Sequence, residues 1–172
     1  MKITRLNIPE VIVIEPQVFE DERGFFFESF NQKKFNQAIG REVFFVQDNH
    51  SKSKYGVLRG LHYQESPFEQ AKLIRVISGE IFDVAVDIRV ESMSYGQWVA
   101  CELTSQNKKQ LWIPEGFAHG FLVLSKEAEV VYKTNNFYNL DLEKTIPWNN
   151  NSFNIKWPLN KEFIITSKKD AC

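Results

Sequence analysis

The chain has 172 residues, of which 43% are hydrophobic and 25% charged, and its formal net charge is −1. A chain of this length buries a core without disulfide or metal staples, and its balanced charge argues against intrinsic disorder and a basic nucleic-acid-binding tail. Because it has only three histidines and two cysteines, few metal sites built from nitrogen or thiolate ligands alone are available, and we expect a single domain over residues 1–172.

The N-terminal segment, Met1 to Pro9, has two basic residues among scattered apolar ones and no continuous apolar run, unlike a signal peptide. No stretch of the chain approaches the roughly 18 apolar residues of a membrane span. Cys101 and Cys172 stand far apart in the sequence, so we expect no disulfide and a reducing compartment. The protein is therefore expected to be cytoplasmic and to bind neither membranes nor nucleic acid.

Helical periodicity is nearly absent from the chain. The clearest helix prediction covers Gln32 to Ile39, with Asn31 as the N-cap and Gly40 as the terminating residue. A second short turn is expected from Leu140 to Lys144. The remainder contains β-rich runs at residues 11–14, 24–30, 43–49, 72–78, 80–89, 96–103, 109–113, 120–124 and 129–134. Short strands at this spacing predict an all-β sandwich or barrel with one or two short helices.

Two of these runs, 72–78 and 80–88, flank Gly79, which predicts a β-hairpin with the glycine in its turn. Alternation along the second run places Asp83 and Asp87 on one face and apolar side chains on the other. Periodicity leaves open which of the two faces lies inside. We expect residues 135–160, which are rich in asparagine, to form loops over the surface.

The run Gly56 to Gln64 combines an arginine and a histidine within a strand-like segment. Strict alternation would place His62 and Arg59 on opposite faces, so Gly60 must mark a bulge if both side chains reach one cavity. Taken alone, His62 is better explained as a buried histidine that hydrogen-bonds to the backbone.

The run Pro114-Glu-Gly-Phe-Ala-His119 predicts a tight turn that delivers an imidazole to the start of the next strand. It resembles the second motif of the cupins, jelly-roll β-barrels in which this histidine usually binds a metal. The first motif of metal cupins contains His-x-His, whereas this chain has His62-Tyr63-Gln64. Two histidines and an amide suit a transition metal poorly, so we expect a cupin-type barrel without a metal.

Several further motifs are unremarkable singly but form a family pattern together. Arg23 lies in Asp21-Glu-Arg-Gly-Phe-Phe-Phe-Glu28 and could bind an anion, although an ordinary β-turn with charged flanks explains this motif better when it is taken alone. Taken in order, the motifs resemble the dTDP-4-dehydrorhamnose 3,5-epimerases, a metal-independent branch of the cupins. The segments that carry this resemblance are residues 19–28, 45–51, 57–64, 71–76, 79–89, 111–121, 132, 155–158 and 167–170.

The resemblance implies a substrate, a reaction and an assembly. The substrate is dTDP-4-dehydro-6-deoxy-D-glucose, which is converted to dTDP-4-dehydro-L-rhamnose by inversion at C3 and C5 in dTDP-L-rhamnose biosynthesis. Members of the family use neither metal nor cofactor. They are homodimers whose subunits exchange strands.

The resemblance also implies the catalytic set. His62 is the base that removes each proton, and Asp170 pairs with it and fixes its tautomer. Lys72 stabilises the enolate oxygen, and Tyr132 is the acid. Because Asp170 lies close to the end of the chain, Asp83 is a second candidate for the partner of His62.

Substrate-binding roles follow from the same resemblance. Three cations contact the sugar nucleotide, chiefly at its diphosphate: Arg23, Arg59 and Lys169. Tyr138 stacks on the thymine. Further substrate contacts are Glu28, Gln47, Asp48, Asn49, His119 and Glu143.

Three alternatives remain at this stage. A relative could invert only one of the two centres, or act on another nucleotide sugar. Isotope from solvent that enters at one carbon only would refute double inversion. A metal-dependent cupin would lose its activity with a chelator. A catalytically silent sugar-binding cupin would bind the nucleotide sugar, but substitution of His62 would not alter the exchange of substrate protons with solvent.

Overall fold

The computed structural model of the chain describes residues 1–171, which form two antiparallel β-sheets, a separate hairpin and a short helix. The helix α1 spans Gln32–Ile39, and a short 3-10 helix spans Lys161–Phe163. The strands are β1 Lys2–Arg5, β2 Ile12–Glu15, β3 Phe19–Asp21, β4 Gly24–Phe26, β5 Gln47–Lys54, β6 Leu58–Gln64, β7 Lys72–Ser78, β8 Glu80–Asp87, β9 Trp98–Thr104, β10 Gln110–Ile113, β11 Phe117–Val123, β12 Glu127–Thr134 and β13 Glu143–Thr145.

The two sheets enclose the main core. One has the strand order β1-β2-β10-β7-β12-β5, the other β13-β6-β11-β8-β9, while β3 and β4 pair with each other alone. Buried apolar side chains from both sheets form one cluster, which includes Val13, Ile74, Ala85, Phe117 and Val130. This arrangement confirms the prediction of an all-β barrel of the jelly-roll type with short helical segments. Among the described residues, no helix is long and apolar enough to cross a membrane.

The helix has the predicted bounds because its ends are specified locally. The Asn31 side chain accepts a hydrogen bond from the Lys34 amide, and Gly40 ends the helix in the left-handed conformation at φ 78°. Phe35 is the buried residue of the helix, and its ring packs edge-on against Trp112 with centroids 5.2 Å apart. The helix therefore covers the outer face of the six-stranded sheet.

The predicted hairpin around Gly79 is wrong. Strand β7 pairs with β10 and β12 in one sheet, whereas β8 pairs with β11 and β9 in the other. Gly79 has φ +81°, and a Cβ there would lie 2.1 Å from the carbonyl oxygen of Glu127. The turn signal is real, but the turn carries the chain from one sheet to the other at a tightly packed corner.

Both faces of β8 are buried. Asp83 and Ala85 point into the barrel, and Val84 and Val86 pack beneath the C-terminal segment, residues 146–157. This asparagine-rich region forms loops, as expected, and its apolar side chains cover the sheet. Residues 140–142 form a turn, in which the amide of residue 143 bonds to the carbonyl of residue 139, before strand β13. Cys101 is a free thiol, and Cys172 lies outside the described residues.

Candidate active site

A cavity of about 350 Å³ is lined by side chains from strands of both sheets. Nine predicted site residues line it: Gln47, Asn49, Arg59, His62, Lys72, His119, Tyr132, Tyr138 and Glu143. Five lining residues were not predicted as site residues: Ser51, Tyr63, Gln64, Gln70 and Phe121. The fold thus gathers residues from six separate stretches of sequence into one polar cavity.

Strand β6 reaches the cavity with two side chains because it carries a bulge. The pairing with β11 shifts between His62, opposite His119, and Arg59, opposite Phe121, so β6 has one extra residue at this point. Gly60 lies in the bulge at φ +114°, and a Cβ there would lie 2.5 Å from the carbonyl oxygen of His119. The bulge expected from the motif is therefore present, and it turns Arg59 and His62 toward the same space.

His62 forms a pair with a carboxylate from the far end of the chain. Its Nε2 lies 2.5 Å from Oδ1 of Asp170, which is only 4% exposed. Burial opposes the charge on Asp170, but the hydrogen bonds and charge of His62, together with the Ser167 hydroxyl, outweigh it and lower the pKa of the carboxyl group. The ionised carboxylate requires a proton on Nε2, which leaves Nδ1 as the ring nitrogen with a free lone pair.

His119 has a carboxylate partner of its own. Its Nε2 lies 2.5 Å from Oδ1 of Asp83, and Asp83 is completely buried. The second oxygen of this carboxylate, Oδ2, has no hydrogen-bond partner among the described residues. Asp83 was the alternative partner for His62, and the structure instead pairs it with His119 on the neighbouring strand β11.

The cavity also contains a buried amine and a buried phenol. Lys72 is 6% exposed, and burial lowers the pKa of its ammonium group from 10.5 to about 8, although Glu143 and Asp83 act in the opposite direction. Burial raises the pKa of Tyr132, which keeps its phenol protonated at neutral pH. The site therefore presents a cation that loses its proton easily and an acid that retains its proton.

Glu143 binds two other predicted binding residues at the mouth of the site. Its Oε2 accepts hydrogen bonds from the Tyr138 hydroxyl at 2.7 Å and from the ammonium group of Lys169. Burial raises the pKa of the Glu143 carboxyl group, but these two bonds outweigh it and lower the pKa. The backbone amide of Tyr138 donates to Gln47, whose own amide donates to Asn49 at 2.9 Å.

Lys169 does not line the cavity but pairs with Glu143, which does. Three other predicted contacts lie away from the cavity. Arg23 lies in the turn of the β3–β4 hairpin, where its side chain is 85% exposed and pairs with Asp21. Glu28 follows that hairpin and pairs with Lys34 of the helix. Asp48 lies on β5 between two cavity residues, and because successive side chains alternate, it points outward to Lys133 at 2.9 Å. In the single chain, none of the three reaches the site.

Gln64 occupies the position that would complete a cupin metal site, and its side chain hydrogen-bonds to backbone groups instead. The amide nitrogen of Gln64 donates to the carbonyl oxygens of Phe68, at 2.6 Å, and Phe137, while its oxygen accepts from the amide of Asn139 at 2.7 Å. Within residues 1–171 there is no cluster of three or more His, Cys, Asp or Glu side chains suited to holding a metal ion. Gln64 therefore holds two loops together rather than presenting a ligand.

Two polar side chains near the site, Ser167 and Asp83, make contacts that were not predicted from the sequence. Ser167 donates to Oδ2 of Asp170 at 2.9 Å, and Ser-x-x-Asp spacing is a known turn pattern that could have identified it. The role of Asp83 beside His119 depends on pairing between β8 and β11, for which the local sequence contains no signal.

The chain is similar in sequence to known proteins of one family. A family model described as dTDP-4-dehydrorhamnose 3,5-epimerase matches residues 5–172. The chain is 60% identical over 170 residues to the protein of that name from Shigella flexneri, which covers 99% of this chain and 93% of the relative.

Solved structures give the same result. A dTDP-6-deoxy-D-glucose-3,5-epimerase from Legionella pneumophila in complex with dTDP-4-keto-L-rhamnose has a TM-score of 0.95 and 49% identity over 99% of this chain and 89% of that one. ChmJ, a 3'-monoepimerase from Streptomyces bikiniensis in complex with dTDP-quinovose, has a TM-score of 0.89 and 31% identity over 96% and 83%. The chain belongs to the dTDP-4-dehydrorhamnose 3,5-epimerase family.

Proposed function

We propose that this enzyme inverts C3 and C5 of dTDP-4-dehydro-6-deoxy-D-glucose to give dTDP-4-dehydro-L-rhamnose, in the cytoplasm and without a cofactor. The observation that carries the proposal is that His62, whose imidazole pairs with Asp170, lines one cavity with the buried amine of Lys72. The name of the 60% identical relative and the ligand bound to the Legionella protein support the choice of substrate.

The proposed chemistry is the same at both carbons. The 4-keto group acidifies the adjacent C–H bonds, His62 removes the proton, and the electron pair of the C–H bond moves to the ketone oxygen to form an enolate. Lys72 stabilises the negative oxygen in a site with little water, where a cation acts most strongly. Tyr132 then donates its phenolic proton to the carbon from the opposite face, and exchange with solvent restores both groups.

The nucleotide end is proposed to lie at the mouth of the cavity. Arg59, whose Nε donates to Ser53 at 2.9 Å, and Lys169 offer cationic groups for the diphosphate. Tyr138, proposed to stack on the thymine, is half exposed, and its hydroxyl donates a hydrogen bond to Glu143. Gln47, Asn49 and His119 supply further contacts from the cavity wall.

We propose a homodimer in which Arg23 and Glu28 of one copy complete the site of the other. The hairpin β3–β4 that carries Arg23 exposes the rings of Phe19, Phe25 and Phe26, by 56%, 56% and 68%. Apolar side chains on a projecting hairpin are suited to cover by a second copy through strand exchange. A sedimentation-equilibrium mass of two chains is expected, and a single-chain mass would contradict this part of the proposal.

The reaction is tested by incubating the protein with dTDP-4-dehydro-6-deoxy-D-glucose in D₂O and following the sugar by NMR. Deuterium is expected at both C3 and C5, together with product of the L-rhamno configuration. His62→Ala should abolish both signals. His50→Ala is the matched control, because His50 is exposed and pairs with Glu129 on the outer face of the sheet. Loss of deuterium exchange on addition of a chelator would favour metal chemistry instead.

One alternative has specific support. The structural neighbour ChmJ, which is 31% identical, is a 3'-monoepimerase, so the fold accommodates single inversion. Deuterium confined to one carbon would identify this chain as a single-centre enzyme. Binding of the nucleotide sugar without any exchange would point to a catalytically silent binding protein.

A further inference from the structure

The last turn of the described chain is built around a serine hydroxyl. Ile165 joins the tail to the start of β6 through two backbone hydrogen bonds with Gly56 and Leu58, each 2.8 Å. Asp170 reaches His62 only five residues later. The Ser167 carbonyl accepts from the Asp170 amide at 3.1 Å, and the Ser167 hydroxyl accepts from the same amide at 3.2 Å.

The same hydroxyl also contacts the carboxylate that serves His62. Ser167 Oγ donates to Oδ2 of Asp170 at 2.9 Å, while Oδ1 faces Nε2 of His62 at 2.5 Å. The two oxygens of the carboxylate are thus held from opposite sides, which leaves the group little freedom to rotate. Since Asp170 is 4% exposed, water has little access to replace the serine hydroxyl.

We propose that Ser167 is a positioning residue that orients the Asp170 carboxylate and, through it, the tautomer of the His62 imidazole. Ser167 does not line the substrate cavity, so it acts through Asp170 and touches no reacting atom. The assignment rests on the proposed function, because the His62 tautomer matters only where this imidazole removes a proton. Loss of the Ser167 hydroxyl should lower the rate of proton removal without weakening substrate binding.

The test compares Ser167→Ala with Ser167→Thr, which keeps the hydroxyl, and with Ser152→Ala, an exposed serine outside the site. Ser167→Ala is expected to lower kcat about 10- to 100-fold with KM unchanged, the size of effect typical of a lost hydrogen bond to a charged group. Ser167→Thr should recover most of the loss, and Ser152→Ala should match the wild type.

A double-mutant cycle separates positioning from a general structural effect. In an Asp170→Asn background, Ser167→Ala should change kcat by less than about 2-fold, since the two residues act as a unit. The same 10- to 100-fold loss in both backgrounds would overturn the proposal, and so would an unchanged kcat in the single variant. If Ser167→Ala fails to fold, Ser167→Cys keeps the side-chain size but lacks a strong donor, and wild-type kcat in that variant would overturn the proposal.

A second measurement needs no substrate. The ¹⁵N spectrum of His62 should show one tautomer, protonated at Nε2, in the wild type and a mixture of tautomers in Ser167→Ala or Ser167→Cys. An unchanged spectrum would count against Ser167. A wild-type protein without exchange would instead count against the proposed function, and the ¹⁵N spectrum would still decide the role of Ser167.

Discussion

Replacing Lys72 by methionine should make the protein more stable and nearly inactive. Burial lowers the pKa of this lysine from 10.5 to about 8, so holding the ammonium charged inside the barrel at pH 7 costs roughly 3 kcal/mol, at 1.36 kcal/mol per pKa unit. Lys72→Met removes the charge and preserves most of the packing volume. The free energy of unfolding at pH 7 should therefore rise by up to that amount.

The pH dependence of the stability difference between Lys72→Met and the wild type is a stricter test than the sign of that difference at pH 7. Between pH 8 and 10.5 the unfolded chain binds more protons at Lys72 than the folded chain does, so stability from this group rises with pH. The advantage of Lys72→Met should shrink across that window and vanish near its upper end. Urea denaturation at pH 7 and pH 10 measures the difference, with Lys33→Met on the exposed face of the helix as control.

The catalytic activity of Lys72→Met should fall although its stability rises. Loss of a preorganised charge at the enolate oxygen typically lowers kcat by about 10²–10³. In the wild type, kcat/KM should decline as pH rises through about 8, because Lys72 loses its proton there. A destabilised Lys72→Met variant, or one whose advantage is the same at pH 7 and pH 10, would refute the idea that burial of this charge limits stability.

Three further changes test other parts of the site. Tyr132→Phe should lower product formation about 10²–10⁴-fold, because only the protonation that inverts the carbon is lost. Deuterium exchange should persist, since His62 can exchange its proton with solvent and return deuterium to the same face; NMR separates the two, and an equal loss of both would contradict this. Gly60→Ala should cost more than about 2 kcal/mol in urea denaturation, because its Cβ meets the His119 carbonyl, whereas Gly40→Ala, with open space around it, should cost about 1 kcal/mol. Gln64→His should lower the free energy of unfolding by roughly 1–3 kcal/mol, because it breaks three buried hydrogen bonds. Elemental analysis of this variant should find no stoichiometric metal.

Features determined by neighbouring residues were predictable from the sequence. The predicted helix has the same first and last residues as the observed one, because Asn31 and Gly40 act on the backbone next to them. The bulge at Gly60 was expected because a cation and an imidazole three positions apart could not otherwise share a cavity. In both cases a local pattern carried the information, and the fold confirmed it.

Features that depend on distant pairing were not predictable in the same way. A glycine between two strand-like runs predicts a reversal of the chain, but which strands then pair is decided by residues far away, and at Gly79 the two runs enter different sheets. The same limit applies to Asp83. Its alternation was clear, yet only the pairing of β8 with β11 brings it to His119. Likewise, alternation along β5 would have excluded Asp48 from the cavity once Gln47 and Asn49 were assigned to it.

The two histidine–carboxylate pairs explain how one barrel can suit either metal binding or proton transfer. His62 and His119 lie opposite each other on adjacent strands, and each has its Nε2 held by a buried carboxylate. Such a carboxylate orients an imidazole equally well for a metal ligand or for a base, so the pairs alone do not decide the chemistry. The third position favours proton transfer: the Gln64 side-chain amide hydrogen-bonds to three backbone groups, and Lys72 lines the same cavity. In the proposed mechanism, Lys72 supplies the positive charge that a metal ion would supply in a metal cupin.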